Sequence, residues 1–192
     1  MTCFRTFTPP LWEIFSGNLL LLICTLFYLA WWAVSFRPNS SGSSAGVFYI
    51  AIAFATGLAG IALMSGGINT LSPESKCLQV KFILMGCTGL LIVLLMVTSI
   101  IFRRSVTSEL LIIHIWMALE LSAIAVLYGT GRFGAGQATA LATLVAITTV
   151  IGLICYVMYY RLDEAAGYRI GMVPLAADAL VMTVFLGVMA FL

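Results

Sequence analysis

Residues 82–102 read FILMGCTGLLIVLLMVTSIIF and contain no charged residue. Lys81 precedes this stretch, and the pair Arg103-Arg104 follows it. A helix needs about 20 apolar residues to cross the ~30 Å hydrocarbon core of a bilayer. An uninterrupted apolar run of this length also differs from the short alternating strands of an outer-membrane barrel. The stretch therefore predicts a membrane-spanning helix.

The composition of the whole chain agrees with this prediction. Of 192 residues, 62% are hydrophobic and only 8% are charged, whereas a soluble domain carries roughly 25% charged residues. A disordered chain is excluded as well, because disorder requires low hydrophobicity and high charge. The net charge is +2, and without a basic run it gives no electrostatic basis for binding nucleic acid. These values indicate a protein whose outer surface faces lipid.

The charged residues divide the chain into six apolar segments of membrane-spanning length. We predict an all-α, polytopic membrane protein, with residues 1–192 forming a single transmembrane domain of six helices. Because three helices per half invert the second half, a 3+3 inverted repeat is a further hypothesis. The predicted segments are about 12–36, 46–67, 80–102, 109–130, 135–160 and 170–192.

Two local signals predict helix ends. Gly66-Gly67 is expected to stop the second helix, and Pro174 is expected in the first turn of the sixth. Side A denotes the face that carries the N-terminus, and side B denotes the opposite face. Basic residues divide almost evenly between the two sides, so the positive-inside rule gives no orientation. We expect an integral protein of the bacterial cytoplasmic membrane.

Glu120 is the most informative residue, since it lies near the middle of the fourth segment. An acidic side chain at this depth costs about 2.5–3.5 kcal/mol on insertion scales, so it is expected to face protein or water. Trp116 lies one turn earlier, and its indole N–H is a candidate donor to Glu120. Glu120 is interpreted as a proton, cation or ligand site. The structural alternative is a protonated carboxyl bonded to a backbone carbonyl.

Asp178 and Asn18 are the other candidate site residues. Asp178 lies 6 to 8 residues into the predicted last segment, and it meets Glu120 if the fourth and sixth helices are neighbours. Paired carboxylates share a proton or bind a cation. The alternative places Asp178 two turns below the interface, where the helix dipole tolerates an acid. Asn18 is expected to bond across helices.

Aromatic residues are concentrated toward side B. One interpretation is the aromatic belt that membrane proteins place at the lipid–water interface. The other is an aromatic vestibule opening on side B, suited to an apolar or cationic small molecule. The residues concerned are Tyr28, Trp31, Trp32, Tyr49, Trp116, Tyr156, Tyr159, Tyr160 and Tyr168.

Small residues recur on two helices. Ala53, Gly57 and Gly60 lie on successive turns of the second segment, and Ala138, Ala142 and Ala146 do so on the fifth. Such residues allow helix backbones to approach closely. The pattern fits packing within one chain, and a homo-oligomer interface is the alternative.

No cofactor or metal is predicted. The five cysteines, Cys3, Cys24, Cys77, Cys87 and Cys155, form no C-x-x-C pair and are interpreted as reduced packing residues. The single histidine, His114, has no second histidine to complete a metal site or a haem. The run Gly129-Thr-Gly-Arg-Phe-Gly134 matches a dinucleotide-binding spacing, but it follows a membrane helix and not a strand. It is predicted to be a tight turn.

The leading hypothesis is a small membrane protein that binds a small solute or ion and moves it through the bundle. Proton coupling is part of this hypothesis, with Glu120, Asp178, Trp116 and Asn18 as site residues. The first alternative is an accessory or scaffold subunit that binds a partner membrane subunit. The second, ranked lower, is a membrane-embedded enzyme acting on lipid, because two buried acids are few for such chemistry. Whether the protein is an enzyme stays open at this point.

Overall fold

The computed structural model describes residues 8–37, 44–73, 79–101 and 108–192. Within these ranges the chain forms six helices and no strand, which confirms the all-α prediction. Each predicted segment overlaps one helix. The helices are α1 (Pro9–Ser35), α2 (Ser44–Leu71), α3 (Gln79–Ile101), α4 (Ser108–Gly129), α5 (Ala135–Tyr159) and α6 (Glu164–Ala190).

Helices α1, α2, α4, α5 and α6 are long and apolar enough to cross a membrane. In α3 the apolar part among the described residues is Phe82–Leu94. Large apolar side chains, including Phe54, Met85 and Phe191, are exposed on the outside of the helices. Water would penalise this apolar area, and lipid tails would not. These features indicate an integral membrane protein.

Two predicted helix ends are wrong. Helix α2 does not stop at Gly66-Gly67 but continues to Leu71, because Gly67 serves close packing: a Cβ there would lie 2.6 Å from the Pro10 carbonyl oxygen. Helix α6 begins at Glu164, since Asp163 caps it and its Oδ1 accepts the Ala166 N–H at 2.8 Å.

The early start of α6 changes the position of Pro174. This proline lies inside the helix and not in its first turn, so the predicted first-turn position is wrong. Since proline has no N–H, it leaves one carbonyl of the preceding turn without its helical donor. The part of α6 before Pro174 is thus joined to the rest by a weakened turn.

Five helices pack into a closed ring. Helix α1 packs against α2 and α6, α5 packs against α6 and α4, and α4 packs against α2. Helix α3 lies outside this ring, against α4. One contact between α3 and α4 is made by the buried His114, whose Nε2 bonds to the Cys87 carbonyl oxygen. The ring encloses the polar residues that the sequence singles out in α1, α4 and α6.

The small residues of α2 pack within the chain. Ala53 is buried, and a Cβ at Gly60 would lie 2.9 Å from the Gly17 carbonyl oxygen of α1. A Cβ at Gly57 would lie 3.0 Å from the Cys24 Sγ. The prediction of close packing within one chain is therefore confirmed for α2.

The small residues of α5 behave differently. Ala138 is buried, Ala142 is half-buried and Ala146 is exposed. A cavity of about 290 Å³ lies beside this series, bordered by residues of α3, α4 and α5. Within the described residues, the end of this series that carries Ala146 has no packed helix on it.

The predicted turn between α4 and α5 is confirmed. Gly131 has a φ of +71°, the left-handed conformation that glycine adopts without strain. The buried Phe133 anchors the turn by packing edge-on against Phe185 of α6, with ring centroids 6.0 Å apart. Of the residues singled out by the sequence, Cys3, Cys77 and the Arg103-Arg104 pair lie outside the described residues, as does the side chain of Lys81.

Candidate functional site

Glu120 lies inside the ring of helices. It is the twelfth residue after Ser108, which places it about 18 Å along α4 at 1.5 Å per residue. Its side chain is 2% exposed. Ile113, Met117 and Ile124 on the same face of α4 are buried as well. The carboxyl is thus surrounded by protein and does not point into lipid.

Asn18 of α1 supplies the hydrogen bond to Glu120. Its side chain is fully buried, and its Nδ2 donates to Glu120 Oε1. The predicted cross-helix bond of Asn18 is therefore present, and its partner is the acid itself. Trp116 is buried one turn from Glu120, but the donor that bonds Glu120 comes from α1.

Asp178 lies deeper than the sequence predicts. Because α6 begins at Glu164, Asp178 is 14 residues into the helix, about 21 Å along its axis. The alternative that places Asp178 two turns below the interface assumes that Pro174 lies in the first turn of α6, and this premise is wrong. The depth of Asp178 in a membrane stays a prediction. Helices α4 and α6 both run from side B to side A, so Glu120 and Asp178 reach similar depths.

Glu120 and Asp178 line one small cavity, here called the carboxyl cavity. Its volume is about 20 Å³, enough for one water molecule, which needs about 10–15 Å³. Among the described residues that line it, these two carboxyls are the only ionisable groups. The other lining residues are Ile113, Trp116, Met117, Val145, Thr148, Thr149, Val181 and Met182.

Three oxygen atoms of this cluster are buried without a hydrogen-bond partner among the described residues. They are Asn18 Oδ1, Glu120 Oε2 and Asp178 Oδ2. A buried acceptor without a donor costs about 1–3 kcal/mol. Protonation turns a carboxylate oxygen into an O–H donor, and a water molecule or a small cation offsets the same deficit. A proton, a water molecule or a cation would each satisfy one of these oxygens.

A larger cavity of about 310 Å³ lies at the side B end of the same helices. We call it the aromatic cavity, because five of its lining residues are aromatic. Trp32, Tyr156, Tyr159 and Tyr160 belong to the aromatic group that the sequence places toward side B. The remaining lining residues are Phe36, Ile113, Gly152, Cys155, Gly171, Pro174 and Leu175.

Sequence reasoning identified neither the floor of the aromatic cavity nor its glycines. A Cβ on Gly152 would lie 3.5 Å from Ile113 Cδ1 and 3.9 Å from Pro174 Cβ. A Cβ on Gly171 would overlap the Trp32 ring. The aromatic residues toward side B predict the walls of this cavity. Pro174 is the sequence signal that points to its floor, and a first-turn interpretation hides it.

The remaining residues that the sequence singles out are the cysteines and the side chains that could bind a metal. Among the described residues, Cys24, Cys87 and Cys155 are free thiols, and Cys24 packs against Gly57 of α2. No group of three or more His, Cys, Asp or Glu side chains in the described ranges is arranged to hold a metal ion.

Comparison of the chain with protein-family models, with curated proteins and with solved structures finds no match.

Proposed function

We propose that this protein binds a small solute or ion inside its helix bundle and moves it across the membrane, with Glu120 and Asp178 as the protonatable site. One observation carries the proposal: Asn18 Oδ1, Glu120 Oε2 and Asp178 Oδ2 are buried together without donors. A purely structural cluster is expected to satisfy its own hydrogen bonds. This cluster instead has room for one water-sized guest.

The hydrogen-bond inventory suggests how a proton and a solute become coupled. With both carboxyls ionised, the cluster contains two buried negative charges and a single amide as donor. Protonation of Glu120 neutralises one charge and supplies an O–H for a vacant acceptor. A cationic or hydrogen-bond-donating solute satisfies the same oxygens. Proton and solute therefore compete for one site, and competition for one site produces exchange.

The topology that we propose places all six helices across the membrane. Helix α3 has 23 residues, enough to span with some tilt. Both termini then lie on side A, and the two carboxyls lie near mid-depth. The 3+3 inverted repeat stays a prediction, and so does the assignment to the cytoplasmic membrane of a bacterium.

The test is proton movement in liposomes that contain the purified protein and a trapped pH-sensitive dye. A potassium gradient with valinomycin supplies the driving potential. We expect the wild type to move protons faster than protein-free liposomes, and Glu120→Gln to reduce the rate to that background. The matched control is Glu13→Gln, since Glu13 lies near the start of α1, beside Gly66, and is expected to leave the rate unchanged. An unchanged, pH-dependent flux in Glu120→Gln would contradict the site assignment.

A second candidate is an accessory subunit, and the exposed Ala146 end of α5 favours it. Small residues at four-residue spacing are typical of helix–helix interfaces in membranes, and this end has no packed helix among the described residues. An accessory subunit, or a homo-oligomer, is expected to purify with its partner in a gentle detergent. A monodisperse single chain under those conditions would count against this candidate.

A further inference from the structure

We infer that the aromatic cavity binds a small organic cation, an ammonium group bearing apolar substituents, and that this cation is exchanged for the proton held by the two carboxyls below that cavity. The inference deepens the proposed function by naming a substrate class, and its exchange step rests on that function. The binding step does not.

The walls of the aromatic cavity form a continuous series of rings. Trp32 stacks on Phe36 with ring centroids 4.5 Å apart, and its other neighbour is Tyr159 at 5.7 Å. Tyr160 then lies 5.3 Å from Tyr159 and 5.1 Å from Tyr156. The faces and edges of these rings surround one space. A cation within about 6 Å of such a ring gains about 0.5–1 kcal/mol when exposed and about 2 kcal/mol when desolvated.

The lining of the two cavities favours a cation over a neutral or anionic ligand. Among the described residues that line either cavity, none is basic, and Glu120 and Asp178 are the two carboxylic acids. Pro174 lines the aromatic cavity, and Asp178 lies four residues further along α6, about 6 Å deeper. The aromatic cavity therefore has electron-rich rings on its walls and two carboxyls below its floor.

The two cavities are stacked along the same three helices. Ile113 of α4 lines both of them. A Cβ on Gly152 of α5 would lie within 4 Å of both the Ile113 side chain and Pro174 Cβ of α6, so these three residues lie together at the floor between the cavities. Because Ile113 lines both cavities, a change of its rotamer alters this floor. A solute in the aromatic cavity is thus one side chain away from the carboxyls.

The size of the aromatic cavity restricts the ligand. A volume of about 310 Å³ is at the lower end of the range of about 300–1,000 Å³ for small-molecule pockets. Benzyltrimethylammonium is a suitable probe because it combines one ring with one permanent charge. Neopentylbenzene has the same shape with carbon in place of the charged nitrogen, so the pair isolates the effect of charge.

Binding is tested by equilibrium dialysis of each probe against the protein in detergent micelles, with empty micelles as the blank. We expect benzyltrimethylammonium to bind at least tenfold more tightly than neopentylbenzene. Tyr156→Leu removes a ring from the wall and is expected to weaken binding of the cation about tenfold, whereas Tyr156→Phe keeps the ring and stays within twofold of the wild type. Circular dichroism and a monodisperse elution profile check that each variant is folded.

Exchange is tested in liposomes with the trapped pH dye and no imposed potential. Adding benzyltrimethylammonium outside is expected to drive protons out of the wild-type liposomes, one cation entering for each proton that leaves. Glu120→Gln keeps the rings of the aromatic cavity, so it is expected to bind the probe in detergent, more weakly than the wild type, but to give no proton signal.

The outcomes separate the inference from the proposed function. Equal binding of the two probes, or equal loss in Tyr156→Leu and Tyr156→Phe, overturns the cation site even if potential-driven proton movement still depends on Glu120. Selective binding of the cation, together with a proton signal that survives Glu120→Gln, supports the cation site and overturns the carboxyl site. Selective binding without any cation-driven proton signal in the wild type overturns the exchange step.

Discussion

The α1–α2 pair and the α4–α5–α6 side of the ring are packed in opposite ways. Between α1 and α2 the backbones nearly touch: a Cβ on Gly17 would lie 2.6 Å from the Met64 nitrogen and 2.9 Å from the Gly60 carbonyl oxygen. Between α4, α5 and α6, larger side chains hold the backbones apart and leave the carboxyl and aromatic cavities. Glycine on one side allows the helix backbones to approach closely, and on the other side the aromatic and acidic residues line cavities.

The same substitution is expected to be costly in one region and nearly neutral in the other. Gly17→Ala forces the α1 and α2 backbones apart, and overpacking of this kind costs about 1–3 kcal/mol in the free energy of unfolding. Gly152→Ala places its Cβ 3.5 Å from Ile113, an ordinary van der Waals distance, and is expected to change stability by less than about 0.5 kcal/mol. Denaturant unfolding in mixed micelles measures both changes.

The control for this pair is Gly187→Ala. No atom of the described residues lies within 4 Å of a Cβ at Gly187, so the substitution reports helix propensity alone. We expect it to stabilise α6 by about 0.5–1 kcal/mol. Equal losses for Gly17→Ala and Gly152→Ala would show that the two regions do not differ in packing.

The positions of the helices follow from the sequence, but the faces that meet do not. Charge-free runs predict all six helices, because membrane thickness sets their length. The series in α2 and in α5 look alike as sequence, yet Gly60 packs against Gly17 while Ala146 is exposed. Spacing shows that close approach is possible for a helix face. It does not show whether a partner is present in the same chain.

In the candidate site as well, the sequence predicts the important residues but not the contacts between them. The sequence singles out Glu120 and Asp178 because a membrane penalises buried acids, and that penalty is independent of the tertiary fold. The bond from Asn18 to Glu120 depends on how α1 crosses α4, so no local pattern predicts the pairing. Ile113 is an ordinary apolar residue in the sequence, and its place between two cavities is a property of three helices together.

Asn18 of α1 donates a hydrogen bond to Glu120 of α4, so it links the α1–α2 pair to the α4–α5–α6 side of the ring. A double-mutant cycle tests this link. Asn18→Leu leaves Glu120 without its donor and is expected to cost about 1–3 kcal/mol. Glu120→Met removes the carboxyl, so adding Asn18→Leu to it is expected to cost about 1 kcal/mol less than in the wild type. Unfolding in mixed micelles measures the four proteins of the cycle.

Thr25→Val is the matched control for that cycle. Thr25 is also fully buried on α1, but its hydroxyl donates to the Leu21 carbonyl oxygen at 2.9 Å and to Met182 Sδ of α6 at 3.6 Å, and not to Glu120. Its effect is expected to add to that of Glu120→Met within about 0.5 kcal/mol. Additive losses for Asn18→Leu as well would show that the amide does not couple the two sides of the ring.

The turn at residues 129–134 joins α4 to α5 at the side A end of these helices. Gly131 has a φ of +71°, and a side chain in the left-handed conformation costs about 1–2 kcal/mol. We expect Gly131→Ala to lower the free energy of unfolding by about 1 kcal/mol. Gly136→Ala is the control, since no atom of the described residues lies within 4 Å of its Cβ position, and it is expected to cause no loss. If both variants unfold like the wild type, the turn does not constrain α4 and α5.

The last prediction concerns the contact between α1 and α6, beside the aromatic cavity. Tyr168 Oη donates to the Ala33 carbonyl oxygen at 3.1 Å, and Trp32 Nε1 donates to the Tyr168 carbonyl oxygen at 3.1 Å. Ala33 lies in the last turn of α1, where helical N–H donors run out. Tyr168→Phe removes only the first bond and is expected to cost about 1 kcal/mol.

Tyr168→Phe also tests whether the Tyr168 hydroxyl, which lies outside the lining of the aromatic cavity, contributes to ligand binding. Tyr168 is not among the residues that line the cavity, and the bond that fixes the Trp32 ring uses the Tyr168 main chain, which phenylalanine retains. Binding of benzyltrimethylammonium to Tyr168→Phe is therefore expected to stay within twofold of the wild type in equilibrium dialysis. A tenfold loss of binding without a loss of stability would instead mean that the Tyr168 hydroxyl itself contacts the ligand, and the cavity would then extend past Trp32 toward the end of α1.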